Sequence, residues 1–492
     1  MIIFTIGHDF HFELENICRI FYPFEKIKIC KDYCQTEDAQ IIYTELCETP
    51  QGADLTVRLT TDQRERQQAG FVHKNTPDFK DTCELTLAVM LFEMLVQHTG
   101  YRPDWGALTG VRPAKLMRRL IETTGEQAAS EYFKTKLLVS DEKTELCRRV
   151  SQTEEQIIGL SRPDSFSLYI AIPFCPSRCA YCSFVSHSVE RSAALVPQYV
   201  ELLCKELQQT GAVAQSLGLR LETVYIGGGT PTTLSPEQLT AVMQTVRESF
   251  DLSHLREYTV EAGRPDTITP AKLAAIKAGG ADRISINPQT MNDAVLQEIG
   301  RRHTAAQTVE AFHMARAAGF DNINMDLIAG LPLDTVESFR DTVDRILALD
   351  PESVTIHTLA MKRSSALTQK HHHELLSAGE AVGQMLKIGS EKLSKAEILP
   401  YYMYRQSKTV GGLENVGYAK VGCEGYYNVY IMDETHTILA CGASGVTKLK
   451  QPGTNYLERV CNYKYPYEYI SRFDEILARK AQIGKFYDEY VQ

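Results

Sequence analysis

From Leu168 onward the chain repeats one pattern six times: an apolar, β-branched run, a glycine-rich or polar turn, then a segment with apolar residues at helical spacing. The runs are Leu168 to Phe174, Glu222 to Gly228, Glu257 to Gly263, Arg283 to Asn287, Asn322 to Ala329 and Ser353 to Ala360. Strands joined through helices run parallel, and near-continuous apolar strands are buried on both faces. The helices are signalled locally. Ser235-Pro236-Glu237-Gln238 is a capping box with Pro at the first helical position, and Leu239, Val242, Met243 and Val246 follow on one face. Thr269-Pro270 opens another helix in the same way. The pattern predicts an α/β fold, a partial (β/α)6 TIM-like barrel, with its site at the C-terminal ends of the strands.

At 492 residues the chain exceeds what one hydrophobic core supports. The expected division is a small α+β N-terminal domain over 1–160, the barrel over 165–362, and a smaller C-terminal helical/β unit over 363–492 covering the barrel mouth. The first domain shows β-like runs at Ile2 to Ile6, Phe24 to Cys30, Ile41 to Cys47 and Ala53 to Thr60, then a helix-spaced stretch at Glu84 to Gln97. Tyr101 to Lys115 holds the only tryptophan, Trp105, in a loop that reads either as a turn or as a substrate-facing segment. In the last part, the YNVYIM and HTILACG runs within residues 399–449 look β-like. His371 to His373 reads as a solvated helix start, because three adjacent histidines do not easily face one metal. A net charge of -10 argues against a nucleic-acid surface. No basic segment followed by an apolar one opens the chain, and no stretch of 18 apolar residues occurs. The expectation is a cytoplasmic protein with no membrane span, its thirteen cysteines mostly reduced.

Three of those cysteines stand apart. Cys175, Cys179 and Cys182 follow the first barrel strand at C-x3-C-x2-C spacing. Structural zinc wants four ligands, and His187 is the one nearby candidate for a fourth. Three thiolates on a cubane iron-sulfur cluster leave one iron open to an external ligand, which suits chemistry rather than electron storage. Cys30 and Cys34 repeat the first spacing without a third partner. After the second strand comes Gly227-Gly228-Gly229-Thr230-Pro231-Thr232, where consecutive glycines let a ligand approach the backbone.

The cysteine triad with the glycine turn resembles the radical S-adenosylmethionine (SAM) superfamily. The ordered set Tyr169 to Cys175, the GGGTPT turn, Glu261, Asn287-Pro288-Gln289-Thr290, Arg301 and Asp326 to Pro332 is similar to the oxygen-independent coproporphyrinogen III oxidase family. LTGVRPAK, YYMYRQ, LENVGYAKVG and CGASGVTK extend the similarity to its HemZ-type coproporphyrinogen dehydrogenase subgroup. The resemblance implies a [4Fe-4S] cluster on Cys175, Cys179 and Cys182. It implies SAM contacts from Tyr169 and Gly228 at the methionine end, Glu261 at the ribose, and Gln289, Arg301 and Asp326 around the rest, with Tyr181, Gly229 and Thr230 also cofactor-binding. Ala360 and Val446 match backbone contacts to the adenine or to a second cofactor. The implied reaction, in heme biosynthesis, removes from each of two propionates of coproporphyrinogen III a β-hydrogen atom, CO2 and one electron, leaving vinyl groups. Implied partners are the tetrapyrrole, whose carboxylates would meet candidates Arg112, Lys362, Arg363 and Arg405, and an electron donor such as flavodoxin or ferredoxin. Phe184 stands where the best-characterised branch has a fourth cysteine, and Ala171 where it has His. Related heme chaperones continue with a similar F-x-S-H, here Phe184 to His187. A heme chaperone retaining the cluster, and radical chemistry on another tetrapyrrole, are the alternative expectations.

Overall fold

The computed structural model describes the chain except residues 35, 37–39, 62–63, 183–186, 361–370, 372–377, 407 and 492. It divides into two compact units, Met1–Arg148 with Arg405–Leu413, and Arg149–Tyr404 with Glu414–Gln492.

In the smaller unit, β1 (Ile2–Ile6), β2 (Lys28–Cys30), β3 (Gln40–Thr49), β4 (Gly52–Thr61) and β5 (Arg64–His73) form a sheet ordered β2-β1-β3-β4-β5. Alternation along β4 buries Ala53, Leu55, Val57 and Leu59, and these share a core with Leu87, Leu91 and Leu95 of the helix Phe79–Thr99. The strand β5 has no counterpart among the predicted runs. Its residues 64–69 are all exposed, so no apolar alternation marks it; a ten-residue antiparallel register with β4 makes it a strand. Trp105 is buried here, with the Arg405 guanidinium over its ring at 5.2 Å. Arg405 also donates to Gly412 O at 3.0 Å and to Leu108 O. Trp105 of that loop and Arg405, expected as a candidate for substrate carboxylates, are thus committed to packing.

In the larger unit, β6 (Ser165–Ile172) leads through the two-residue pair β7 (Phe174–Cys175) and β8 (His187–Ser188) to β9 (Arg220–Gly228). Then come β10 (Glu257–Glu261), β11 (Arg283–Ser285), β12 (Asn322–Ala329) and β13 (Ser353–Thr358). The six long-range neighbours β6, β9, β10, β11, β12 and β13 pair in chain order and all in parallel, as the βα pattern predicts. Helices Val196–Ser216, Pro236–Ser249, Pro270–Ala278, Ala305–Ala317 and Val336–Leu347 make the crossovers. Ser235 and Gln238 form the expected reciprocal cap, and Thr304 with Gln307 forms a second. This is the (β/α)6 core of a partial barrel.

Residues expected to form a third unit instead continue this sheet on both sides. β14 (Leu399–Arg405) and β15 (Glu414–Ala419) extend it beyond β13, with β15 antiparallel to β13. β16 (Thr437–Cys441) pairs in parallel with β6, and β17 (Val446–Lys450) and β18 (Leu457–Cys461) follow antiparallel. An open parallel sheet leaves rows of unpaired N–H and C=O groups at its two edges, and these strands cover them. The YNVYIM run is not a strand. It lies in the helix Tyr426–Asp433, where Tyr427, Val429 and Tyr430 are buried. Burial of large aromatic side chains there overrides their β propensity. No described helix is long and apolar enough to cross a membrane.

Candidate functional site

The site begins where β6 ends. Pairing of β7 with β8 closes a loop that carries Cys175, Cys179 and Cys182. Ala180 N donates to Ile299 O (3.0 Å) and Ser177 Oγ to Gly300 O (3.3 Å), which tie the loop to the segment after β11. None of the thirteen cysteines forms a disulfide. Among the described residues no three His, Cys, Asp or Glu side chains converge as a single-ion site. A cubane places each thiolate on a different iron, so its three sulfurs share no single focus.

Each glycine after β9 has a separate steric reason. A Cβ on Gly227 would lie 3.1 Å from the Glu261 carboxylate, and Gly228 has φ of +106°. A Cβ on Gly229 would lie 2.6 Å from Phe174 O, 2.9 Å from Ile172 O and 3.0 Å from Cys175 Sγ. The turn is pulled onto the cysteine strand by Gly229 N donating to Ile172 O (2.8 Å) and Thr230 N to Phe174 O (2.7 Å). Thr230 Oγ1 then points its hydroxyl at Cys175 Sγ, 3.5 Å away.

Glu261 closes β10 on the same face as Tyr225, whose hydroxyl donates to Glu261 Oε1 at 2.5 Å. Burial, opposed by that hydrogen bond and reinforced by the Asp326 charge, pushes the Glu261 carboxyl up to about 7. Asp326, on β12, behaves oppositely: burial pushes it up, but hydrogen bonding and charge from His357, with help from Asn324 and Thr355, hold it below its ordinary value. The Tyr225 ring stacks on Tyr427 at 4.5 Å, and Tyr169 stacks on both at 6.3 and 6.1 Å. The Tyr427 amide donates to Glu257 at the start of β10, so this ring enters from the N-terminal end of the strands and fills the interior below Glu261.

Gln289 takes a left-handed backbone (φ +70°), held by its N–H on Asp326 O and its C=O on Ile328 N, both 2.9 Å. Strain of this kind in a non-glycine residue is retained where the surroundings over-determine it. Arg301 donates from Nη1 to Gly263 O (2.9 Å) and from Nη2 to the Tyr181 hydroxyl (2.9 Å), while its buried Nε has no partner among the described residues. A buried N–H without a partner is costly, so this one is open to an acceptor that a ligand brings.

Cys175, Cys179, Cys182, Tyr181, Gly228, Gly229, Thr230, Glu261, Gln289, Arg301, Asp326 and Tyr169 are therefore linked by contacts around the ends of β6 to β12. Ala360 lies two residues past β13, and Val446 opens β17, two strands from β6 in the sheet order. Phe184, Lys362, Arg363, His372 and His373 lie outside the described residues. His371 is not solvated: it is 8% exposed and bonds Glu298 at 2.8 Å. Tyr225, Arg264, His357 and Tyr427 escape sequence reasoning. For Tyr225 a signal exists, since it lies two residues before Gly227 and so on the same strand face.

The barrel with its cysteine loop and glycine turn matches a protein class: the model of the radical SAM superfamily matches residues 169–346. That superfamily uses a [4Fe-4S] cluster and SAM, and the residues present fit both groups: three free thiols on one loop, a glycine turn packed directly against the cysteine strand, and a buried Arg301 Nε without a partner among the described residues. Within this class the chain belongs to the family of oxygen-independent coproporphyrinogen III oxidase-like proteins. It is 36% identical over 486 residues, 96% of each chain, to the oxygen-independent coproporphyrinogen-III oxidase-like protein HemZ of Bacillus subtilis. The heme chaperone HemW of the same organism is 32% identical over 311 residues, covering 61% of this chain and 77% of HemW. The structure of coproporphyrinogen III oxidase (HemN) from Escherichia coli shares the fold, with a TM-score of 0.52 and 22% identity over 66% of this chain and 73% of that one.

Proposed function

We propose that Cys175, Cys179 and Cys182 hold a [4Fe-4S] cluster, that SAM binds beside it in the barrel mouth, and that the protein converts two propionates of coproporphyrinogen III to vinyl groups, forming protoporphyrinogen IX. The observation that carries this reading is the 96% mutual coverage with a coproporphyrinogen oxidase-like relative, which includes both units and the sheet extensions.

When bound, the cluster and SAM supply a 5'-deoxyadenosyl radical. The chain's own residues bind and enclose. The Gly228–Gly229 turn, packed against the cysteine strand, would lie beside the methionine amino group, and Arg301 would pair with a carboxylate. Tyr225 occupies one oxygen of Glu261, leaving Oε2 to accept from a ribose hydroxyl. Gln289 and Asp326 would complete this shell, with Tyr169 at the methionine end, Tyr181 also in the cofactor site, and Ala360 and Val446 as backbone contacts to the adenine or to a second cofactor. Tyr427 blocks approach from below, so the tetrapyrrole would enter from the C-terminal end of the strands; Arg112 stays a candidate for its carboxylates. A flavodoxin or ferredoxin in the cytoplasm would deliver the electron.

Anaerobic incubation with SAM, reductant and coproporphyrinogen III tests this. The expected products are methionine, 5'-deoxyadenosine, CO2 and a divinyl porphyrinogen. Cleavage of SAM without vinyl product overturns the substrate. Stoichiometric heme binding by such a silent protein favours the chaperone reading, for which the HemW similarity speaks.

A further inference from the structure

Three residues beyond Glu261 stands Arg264, 3% exposed, in the turn that follows β10. All five of its N–H groups are spent. Nε and Nη2 donate to the two carboxylate oxygens of Asp266, each at 3.1 Å. Nη2 also donates to Ser177 Oγ (3.1 Å), and Nη1 to Ser177 O (3.3 Å) and to Cys179 Sγ (3.6 Å). A single guanidinium therefore grips the cysteine loop at backbone, hydroxyl and sulfur, and Asp266 holds it in plane. His303 lies behind, its Nδ1 3.9 Å from Asp266 Oδ1.

We infer that Arg264 is a positioning residue that shapes the cysteine loop and raises the reduction potential of the cluster proposed above. The inference rests on the cluster reading of Cys175, Cys179 and Cys182. A cluster gains negative charge on reduction, so a cationic N–H···S bond stabilises the reduced form more than the oxidised one. Asp266 partly offsets the charge but leaves the donor on sulfur. Lysine could keep the charge at this position but could not fork to Ser177 and Cys179 together.

The test compares wild type, R264Q and R264K after anaerobic reconstitution, using iron and sulfide content and a dithionite titration followed by electron paramagnetic resonance. R264Q is expected to lower the one-electron reduction equilibrium constant about tenfold, a midpoint about 59 mV more negative. R264K is expected to shift it in the same direction by less. A purely structural staple would change cluster content and leave the midpoint alone. R264Q with full iron and an unchanged midpoint overturns the inference; where R264Q does not fold, an unchanged midpoint in R264K does so. A well-folded wild type that takes up no iron overturns the cluster reading, and this inference with it.

Discussion

Replacing Glu261 by Gln separates what the site binds from what the fold tolerates. The carboxyl is raised from its ordinary 4.5 to about 7, chiefly by burial. Below pH 4.5 it is protonated in folded and unfolded chains alike, and its contribution to stability is fully present. Between pH 4.5 and 7 the unfolded chain releases the proton while the folded chain keeps it, so stability falls by about 1.4 kcal/mol per pH unit from this group alone. Above pH 7 the loss levels off near 3 kcal/mol, an upper bound because Glu261 keeps some contact with solvent. E261Q has no such proton to exchange, and its amide oxygen still accepts from Tyr225. E261Q should therefore match wild type near pH 4.5 and become progressively more stable up to pH 7, while at pH 8, where the wild-type carboxyl is ionised, it should bind SAM about tenfold more weakly for want of a charged acceptor. Denaturant unfolding of the SAM-free proteins from pH 5 to 8, read by tyrosine near-ultraviolet circular dichroism, measures the difference. Trp105 fluorescence follows the smaller unit separately. A stability difference flat to within about 0.5 kcal/mol over that range refutes the reasoning.

C175S, C179S and C182S should each reduce reconstituted iron to background, while C204S, in the helix Val196–Ser216, should leave it intact; iron assay and visible absorption decide. G229A forces a methyl against two carbonyl oxygens and Cys175 Sγ, so it should cost about 1–3 kcal/mol and depress iron content, checked by thermal melting and iron assay. Glu206 is buried and accepts from Tyr469 (2.6 Å), Gly442 N (2.7 Å), Asn462 (2.8 Å) and Lys480 (2.8 Å). E206A leaves a buried ammonium without its carboxylate and should destabilise the larger unit by about 3–5 kcal/mol; E206Q/K480M, which removes both charges, should cost less in the same unfolding measurement.

The barrel and the core of its site are legible in the chain because their signals are local. A strand's apolar run, the Ser235 cap, the cysteine spacing and the glycine turn each depend on residues a few positions apart. Most of the site then assembles automatically, since parallel strands joined by helices bring their C-terminal ends together. Other features depend on partners far away in sequence. β5 is a strand only because β4 offers it a ladder, and Tyr426–Asp433 is a helix only because the barrel interior takes up its aromatic rings. The C-terminal strands join the central sheet because its parallel edges need covering, which no periodicity in residues 399–461 announces. Arg405 shows the same limit from the other side: its charge is visible in sequence, its burial over Trp105 is not. Sequence determined the barrel, the cysteine triad and the glycine cradle, whose residues are near neighbours along the chain. Tertiary structure alone decided that Tyr225 claims one oxygen of Glu261, that Tyr427 fills the barrel from below, and that Arg264 holds the cysteine loop, because a hydrogen bond or ring stack between distant segments exists only once the fold has set their distance and direction.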